Sequence, residues 1–203
     1  MRYVAGLCKE QFDLSEGAFV VEMGSNTGEQ LAEFRDLGMR TLGVDPARDL
    51  AALAAERGVE TLPDFFSAAI ARRIKKEYST AQLLLGRHVF AHIDDVADVA
   101  VGVRELLDPA GVFAVEVPYA VDMLERSEFD TIYHEHLSYF GVGTLAERFD
   151  RHGLSWTRFA AYGRVLGHQQ MVHRHRAAAS AGRSSGRSIL RHVTPPGARG
   201  RGR

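Results

Sequence analysis

Two histidines flank a glutamate, with a tyrosine at each edge, in the stretch YHEHLSYF at residues 133–140. Histidine exchanges protons near neutral pH, a carboxylate can orient or charge it, and tyrosine can donate to a developing oxyanion. The same side chains could instead ligate a metal, or satisfy one another through local hydrogen bonds. On a strand, His134 and His136 would point to one side, so a metal would need a third ligand from elsewhere. A helical zinc site of the protease kind would need H-E-x-x-H. Acid–base chemistry and local hydrogen bonding both stay open on spacing alone, and a metal is the least favoured.

The elements that would carry this stretch alternate regularly. AFVVEM reads as a buried strand, GEQLAEFRDLG as a helix ending at Gly38, TLGVD as a strand and ARDLAALAAERG as a helix. VETL, SAAIARRIKKEY, AQLLL, IDDVADVAVGVRELL and GVFAVEV continue the alternation, with Pro118 closing the fifth strand because it cannot donate to a ladder. A short lead-in helix over 2–12 precedes them. After Ser138 the pattern weakens to a helix in GTLAERFDRHGL and strands in SWTRFAAY and QQMVHRH. This order predicts an α/β fold, a mostly parallel sheet with helices on both faces.

Ligands of such sheets bind beyond the carboxyl ends of the strands. The loop there, EMGSNTG, runs from Glu22 through Gly24, Ser25 and Asn26 to Gly28, and Asp45 ends the second strand where it could accept from both hydroxyls of a ribose. The dinucleotide fingerprint G-x-G-x-x-G is not met, because Ser25 and Asn26 follow Gly24. E-x-G-x-x-x-G better suits S-adenosylmethionine, which carries no phosphate. Phe65 and Phe66, after the third strand, are placed to flank an adenine or to join the core. Asp94 and Asp95 read as helix caps.

Composition is that of a globular domain, and no apolar run is long enough for a membrane span. No signal peptide is expected, and the single cysteine, Cys8, excludes an internal disulfide and fits a reducing, cytoplasmic setting. Residues 1–150 hold all 26 acidic residues and 14 of the 25 basic ones, whereas 151–203 hold 11 arginines and no acid. That tail reads first as a disordered extension, and second as an arm for nucleic acid or another polyanion.

In order, FVVEMGSNTGEQL, GVDPA, DFFS, HVFAHIDD, GVFAVEVPY and FDTIYHEHLSYF resemble the sugar C-methyltransferases, class I enzymes that act on nucleotide-linked ketodeoxysugars. The resemblance covers roughly residues 18–154 and implies a Rossmann-like class I methyltransferase fold with S-adenosylmethionine as cofactor. It matches Tyr133, Glu135 and His136 to the family's catalytic block and His92 to its fourth-strand histidine. His136 would then be the base, Glu135 would fix its orientation or charge, and His92 and Tyr133 would position the sugar. The family's G-S-N-D-G appears as GSNTG, and its asparagine ahead of that histidine as His88. An N-terminal zinc-binding domain and a large C-terminal domain have no counterpart in the chain, so a truncated member is expected, with a partner chain as one source of the missing parts.

The expected layout is a lead-in helix in 1–17, the cofactor domain over 18–155, a C-terminal remnant over 156–176 and the arginine-rich tail over 177–203. The expected function is C-methylation of a nucleotide-linked ketosugar through an enolate. An inactive cofactor-binding fragment and a basic-tailed polyanion binder are the alternatives.

Overall fold

The computed structural model describes residues 1–154, 156–160 and 168–174. Among the described residues, seven strands form one sheet in the order β3-β2-β1-β4-β5-β7-β6. The first five are β1 (Phe19–Met23), β2 (Arg40–Val44), β3 (Thr61–Leu62), β4 (Ala81–Arg87) and β5 (Leu107–Pro118), each parallel to its neighbours among them. The last two are β6 (Trp156–Ala160) and β7 (His168–Arg174), and β7 runs antiparallel to both β5 and β6. The stretch 156–176, expected as a remnant, thus contributes two strands to the same sheet. The arginine-rich tail lies outside the described residues.

Alternation along β1 builds two cores. Phe19, Val21 and Met23 face one side with Ala71, Ile74, Val99, Val103, Leu145 and Phe149, which belong to α4 (Ala68–Glu77), α5 (Val96–Leu106) and α7 (Val142–Asp150). Val20 faces the other side with Ala5, Cys8, Leu31, Phe34 and Ala54, from α1 (Arg2–Phe12), α2 (Glu29–Asp36) and α3 (Arg48–Glu56). Helices therefore cover both faces, as the alternation of elements predicts. Asp95 caps α5 by accepting the Asp98 N–H at 2.9 Å, so the helix begins later than the apolar pattern suggests.

Two elements carry no sequence signal strong enough to be expected. One is a 3-10 turn at Phe90–His92, directly after β4; the other is α6 (Ala120–Glu125), a short helix with no buried residue. The turn is anchored by Phe90, which is fully buried and packs against Phe113, Phe140 and Phe149 at ring separations of 5.7, 6.4 and 5.9 Å. Phe140 ends the histidine block, so this aromatic cluster ties the block to the sheet. Replacing Phe90 with alanine is expected to cost about 3–5 kcal/mol, as for other buried aromatic truncations. Denaturant unfolding measures this, and Phe90→Leu should lose distinctly less.

Candidate functional site

The loop after β1 is built around backbone positions that most side chains resist. Gly24 and Gly28 have φ of 67° and 72°, and Asn26 shares the left-handed region at 51°. A β-carbon at Gly24 would lie 2.9 Å from Cγ2 of Val89, the residue preceding the 3-10 turn. The glycine thus lets the first-strand loop touch the turn that carries His92. Asp45, buried at the end of β2, accepts the Asn26 N–H at 2.8 Å on one oxygen and the Ala47 N–H at 3.0 Å on the other. Each oxygen keeps a second lone pair for a further donor.

Glu22 is wholly buried, and its Oε2 has no hydrogen-bond partner. Burial first of all, reinforced by Glu116 and Asp45 and opposed by Arg87, pushes its carboxyl from 4.5 up to about 8. Arg87 donates to Glu116 at 2.7 Å and to Gln30 of α2 at 2.9 Å, so a polar cluster spans the carboxyl ends of β1, β4 and β5. His88 joins it: its Nε2 stands 3.4 Å from Glu116, and its N–H donates to the Glu116 carbonyl at 2.9 Å. Phe65 is 73 % exposed at the rim, whereas Phe66 packs on the core beside α5. Ser25 is buried, its hydroxyl without a partner. A buried carboxyl with one oxygen unpartnered, beside a glycine loop and with Asp45 close by, fits the ammonium and ribose groups of S-adenosylmethionine. Cys8, also buried, has its thiol pushed up to about 12 by burial and is no nucleophile.

The histidine block turns at Tyr133–Glu135 and continues to Tyr139 outside any helix or strand, and this reassigns its side chains. His134 is 91 % exposed on its side chain, and its Nε2 stands 3.9 Å from the Glu135 carboxylate. His136 places Nδ1 2.8 Å from the Thr131 carbonyl, which can only accept, so Nδ1 carries the proton. In the neutral ring Nε2 then accepts from the Tyr133 hydroxyl at 2.8 Å. His92 donates Nδ1–H to the Glu135 carbonyl at 2.9 Å, and the two imidazoles stand 4.9 Å apart. The structure therefore brings His92, Tyr133 and His136 together. Glu135 joins them through its backbone, and the Thr131 carbonyl orients His136. Among the described residues no three His, Cys, Asp or Glu side chains are grouped to hold a metal.

The block is fixed over the strand ends by backbone bonds. Leu137 and Ser138 N–H both donate to the Ala91 carbonyl, at 2.7 and 3.3 Å, and Ala120 N–H donates to Phe140 at 3.0 Å. Glycine loop, 3-10 turn and histidine block thus touch in sequence. Sequence reasoning did not single out Arg87, Gln30, Glu116 or the Thr131 carbonyl. Glu116 has a visible signal, an acid interrupting GVFAVEV as Glu22 interrupts FVVEM; a carbonyl has none.

A family profile described as methyltransferase domain matches residues 2–158. The chain belongs to this family, that of S-adenosylmethionine-dependent methyltransferases. It is 51% identical over 154 residues to the C-methyltransferase NovU of Streptomyces niveus, an alignment that takes in 76% of this chain and 37% of that protein. The chain therefore spans little more than a third of this relative. Solved structures share the fold at low identity. The 1,6-didemethyltoxoflavin-N1-methyltransferase of Burkholderia thailandensis, with S-adenosylhomocysteine bound, has a TM-score of 0.63 at 19% identity, covering 87% of this chain and 78% of its own. The magnesium protoporphyrin IX methyltransferase of Synechocystis PCC 6803 has a TM-score of 0.65 at 11% identity, covering 85% and 80%. No helix among the described residues is long and apolar enough to cross a membrane.

Glu22 sets a pH dependence for the fold. Its folded value lies above that of the unfolded chain, so between pH 4.5 and about 8 the folded state keeps a proton that the unfolded state has released. Stability therefore falls as pH rises through that window. Glu22→Gln, neutral throughout, should gain on the wild type between pH 5 and pH 8 by at least about 4 °C in Tm, since 1 kcal/mol is worth about 2–4 °C at this size. Thermal unfolding at the two pH values checks this, and an unchanged difference would contradict it.

Proposed function

We propose that the chain carries the methyl-transfer site of a C-methyltransferase acting on a nucleotide-linked ketodeoxysugar through an enolate. The observation that carries this reading is His136. Its Nδ1–H is held by a carbonyl and its Nε2 lone pair is directed at a tyrosine hydroxyl, which is the arrangement a carbon acid needs. A carbon nucleophile arises when a proton beside the ketone is removed while its oxygen is stabilised.

In this mechanism Nε2 of His136 takes the proton from the carbon beside the carbonyl, and the C–H electron pair moves onto the ketone oxygen as the enolate forms. The resulting imidazolium keeps its Nδ1–H bond to Thr131. Tyr133, released from Nε2, donates to the enolate oxygen, and His92, oriented by the Glu135 carbonyl, positions the sugar. Glu22, Gly24, Ser25, Asn26, Gly28 and Asp45 would hold the cofactor, with Phe65, Phe66 and His88 at its flanks. S-adenosylmethionine, when bound there, supplies an electrophilic methyl group on a sulfonium. Holding both reactants in register at the strand ends supplies much of the acceleration.

The identity to a C-methyltransferase and the S-adenosylhomocysteine-bound relatives of the same fold support this reading. A second reading, cofactor binding without turnover, is favoured by the exposed apolar residues Leu124, Phe129, Ile132 and Leu137, which leave the surroundings of the block open to solvent. Deuterium exchange separates the two. With a nucleotide-linked ketosugar and S-adenosylhomocysteine in heavy water, the wild type should exchange the proton beside the carbonyl. His136→Asn should be slower by about 100-fold or more, in line with loss of a general base. No exchange by a chain that binds S-adenosylhomocysteine would favour the second reading, and equal exchange by His136→Asn would remove His136 as the base.

A further inference from the structure

Tyr139, the second tyrosine of YHEHLSYF, takes no part in the proton transfer just described. Yet its hydroxyl donates to the Thr131 carbonyl at 3.1 Å, the same oxygen that accepts Nδ1–H of His136 at 2.8 Å. Its ring meets the His136 imidazole edge-on, at 6.0 Å and 79°. Tyr133 and His92 pack against the same imidazole at 4.1 and 4.9 Å.

A neutral imidazole has two tautomers, and the hydrogen bond made by one nitrogen decides which of them is populated. For Nε2 to be the basic nitrogen, Nδ1–H needs an acceptor that stays in place. The Thr131 carbonyl lies outside any helix or strand, and on its own side local turns steady it, Thr131 Oγ1 to Glu128 O at 3.3 Å and Ile132 N–H to Phe129 O at 3.0 Å. A carbonyl has two lone pairs, and the Tyr139 hydroxyl occupies the one that His136 leaves.

We propose that Tyr139 is a positioning residue for His136: by pinning the Thr131 carbonyl it selects the Nδ1–H tautomer and leaves Nε2 as the base. The proposal rests on the reading of His136 as the proton acceptor. Tyr139 itself touches neither substrate nor cofactor in this account and acts only through the carbonyl that it shares with His136. Phenylalanine at this position keeps the ring contact and removes only the hydroxyl, so the variant separates packing from hydrogen bonding.

The test is long-range proton–nitrogen NMR of imidazole-labelled protein at a pH where His136 is neutral. In the wild type, Nδ1 should be the protonated nitrogen and Nε2 the unprotonated one. In Tyr139→Phe, with thermal unfolding showing a folded chain, the Nε2 resonance should move toward the averaged position of a mixed tautomer. An unchanged Nε2 resonance in the folded variant would overturn the proposal. Should Tyr139→Phe fail to fold, the wild type carries the test: a Tyr139 hydroxyl proton with a cross-peak to the His136 Nδ1 proton is expected, and its absence overturns the proposal. The outcomes also separate this inference from the enolate reading. A tautomer shift in a chain that exchanges no deuterium keeps the positioning role and removes the chemistry. An unchanged tautomer in a chain whose exchange depends on His136 does the reverse.

Discussion

The histidine block has almost no core of its own, and its position depends first on one acceptor, the Ala91 carbonyl, with Phe140 tying its end to the sheet. The α6 helix buries nothing, and Phe129, Ile132 and Leu137 lie open to solvent. What holds the block is the pair of N–H groups of Leu137 and Ser138 on that carbonyl, with the His92 ring bonding back to Glu135. Ala91 can serve because Phe90 beside it is locked among aromatic rings that come from β5, α7 and the end of the block. Precision at the histidines is therefore borrowed from the sheet through one turn.

The same turn reaches the glycine loop after β1. Val89 fills the space that a side chain at Gly24 would need, so loop and turn are packed together at the carboxyl ends of β1 and β4. Beneath them lies a buried polar cluster, Glu22 and Glu116 about Arg87, in which Arg87 donates from Nε to Glu116 and from Nη1 to Gln30. Burying carboxyls costs stability unless they are paired, and Glu22 is the member left without a hydrogen bond at Oε2. Such a group is costly to the fold, and in the proposed reading it would face the cationic end of the cofactor.

Much of the sheet was legible in the sequence because buried parallel strands and amphipathic helices have distinct periods, and the glycine loop and Asp45 follow from their places at strand ends. The antiparallel insertion of β7 between β5 and β6 was not legible, since pairing order has no local signal. The 3-10 turn escaped because three residues show no period. Glu135 illustrates the limit most sharply. Its carboxylate suggests a partner for His136, but the turn geometry turns the carboxylate outward beside His134 and uses the Glu135 carbonyl for His92. Side-chain type suggests acid–base chemistry for the block, while backbone carbonyls, which every residue has, set which nitrogen of each imidazole carries the proton.

The central claim is that the strand ends form one cofactor site joined to the histidine block, and calorimetric titration of the folded chain with S-adenosylhomocysteine tests it most directly. The account predicts saturable binding, weakened about tenfold or more in Asp45→Asn, where loss of charge weakens hydrogen bonds to the ribose. No binding by a wild-type chain whose thermal unfolding shows it to be folded would contradict it.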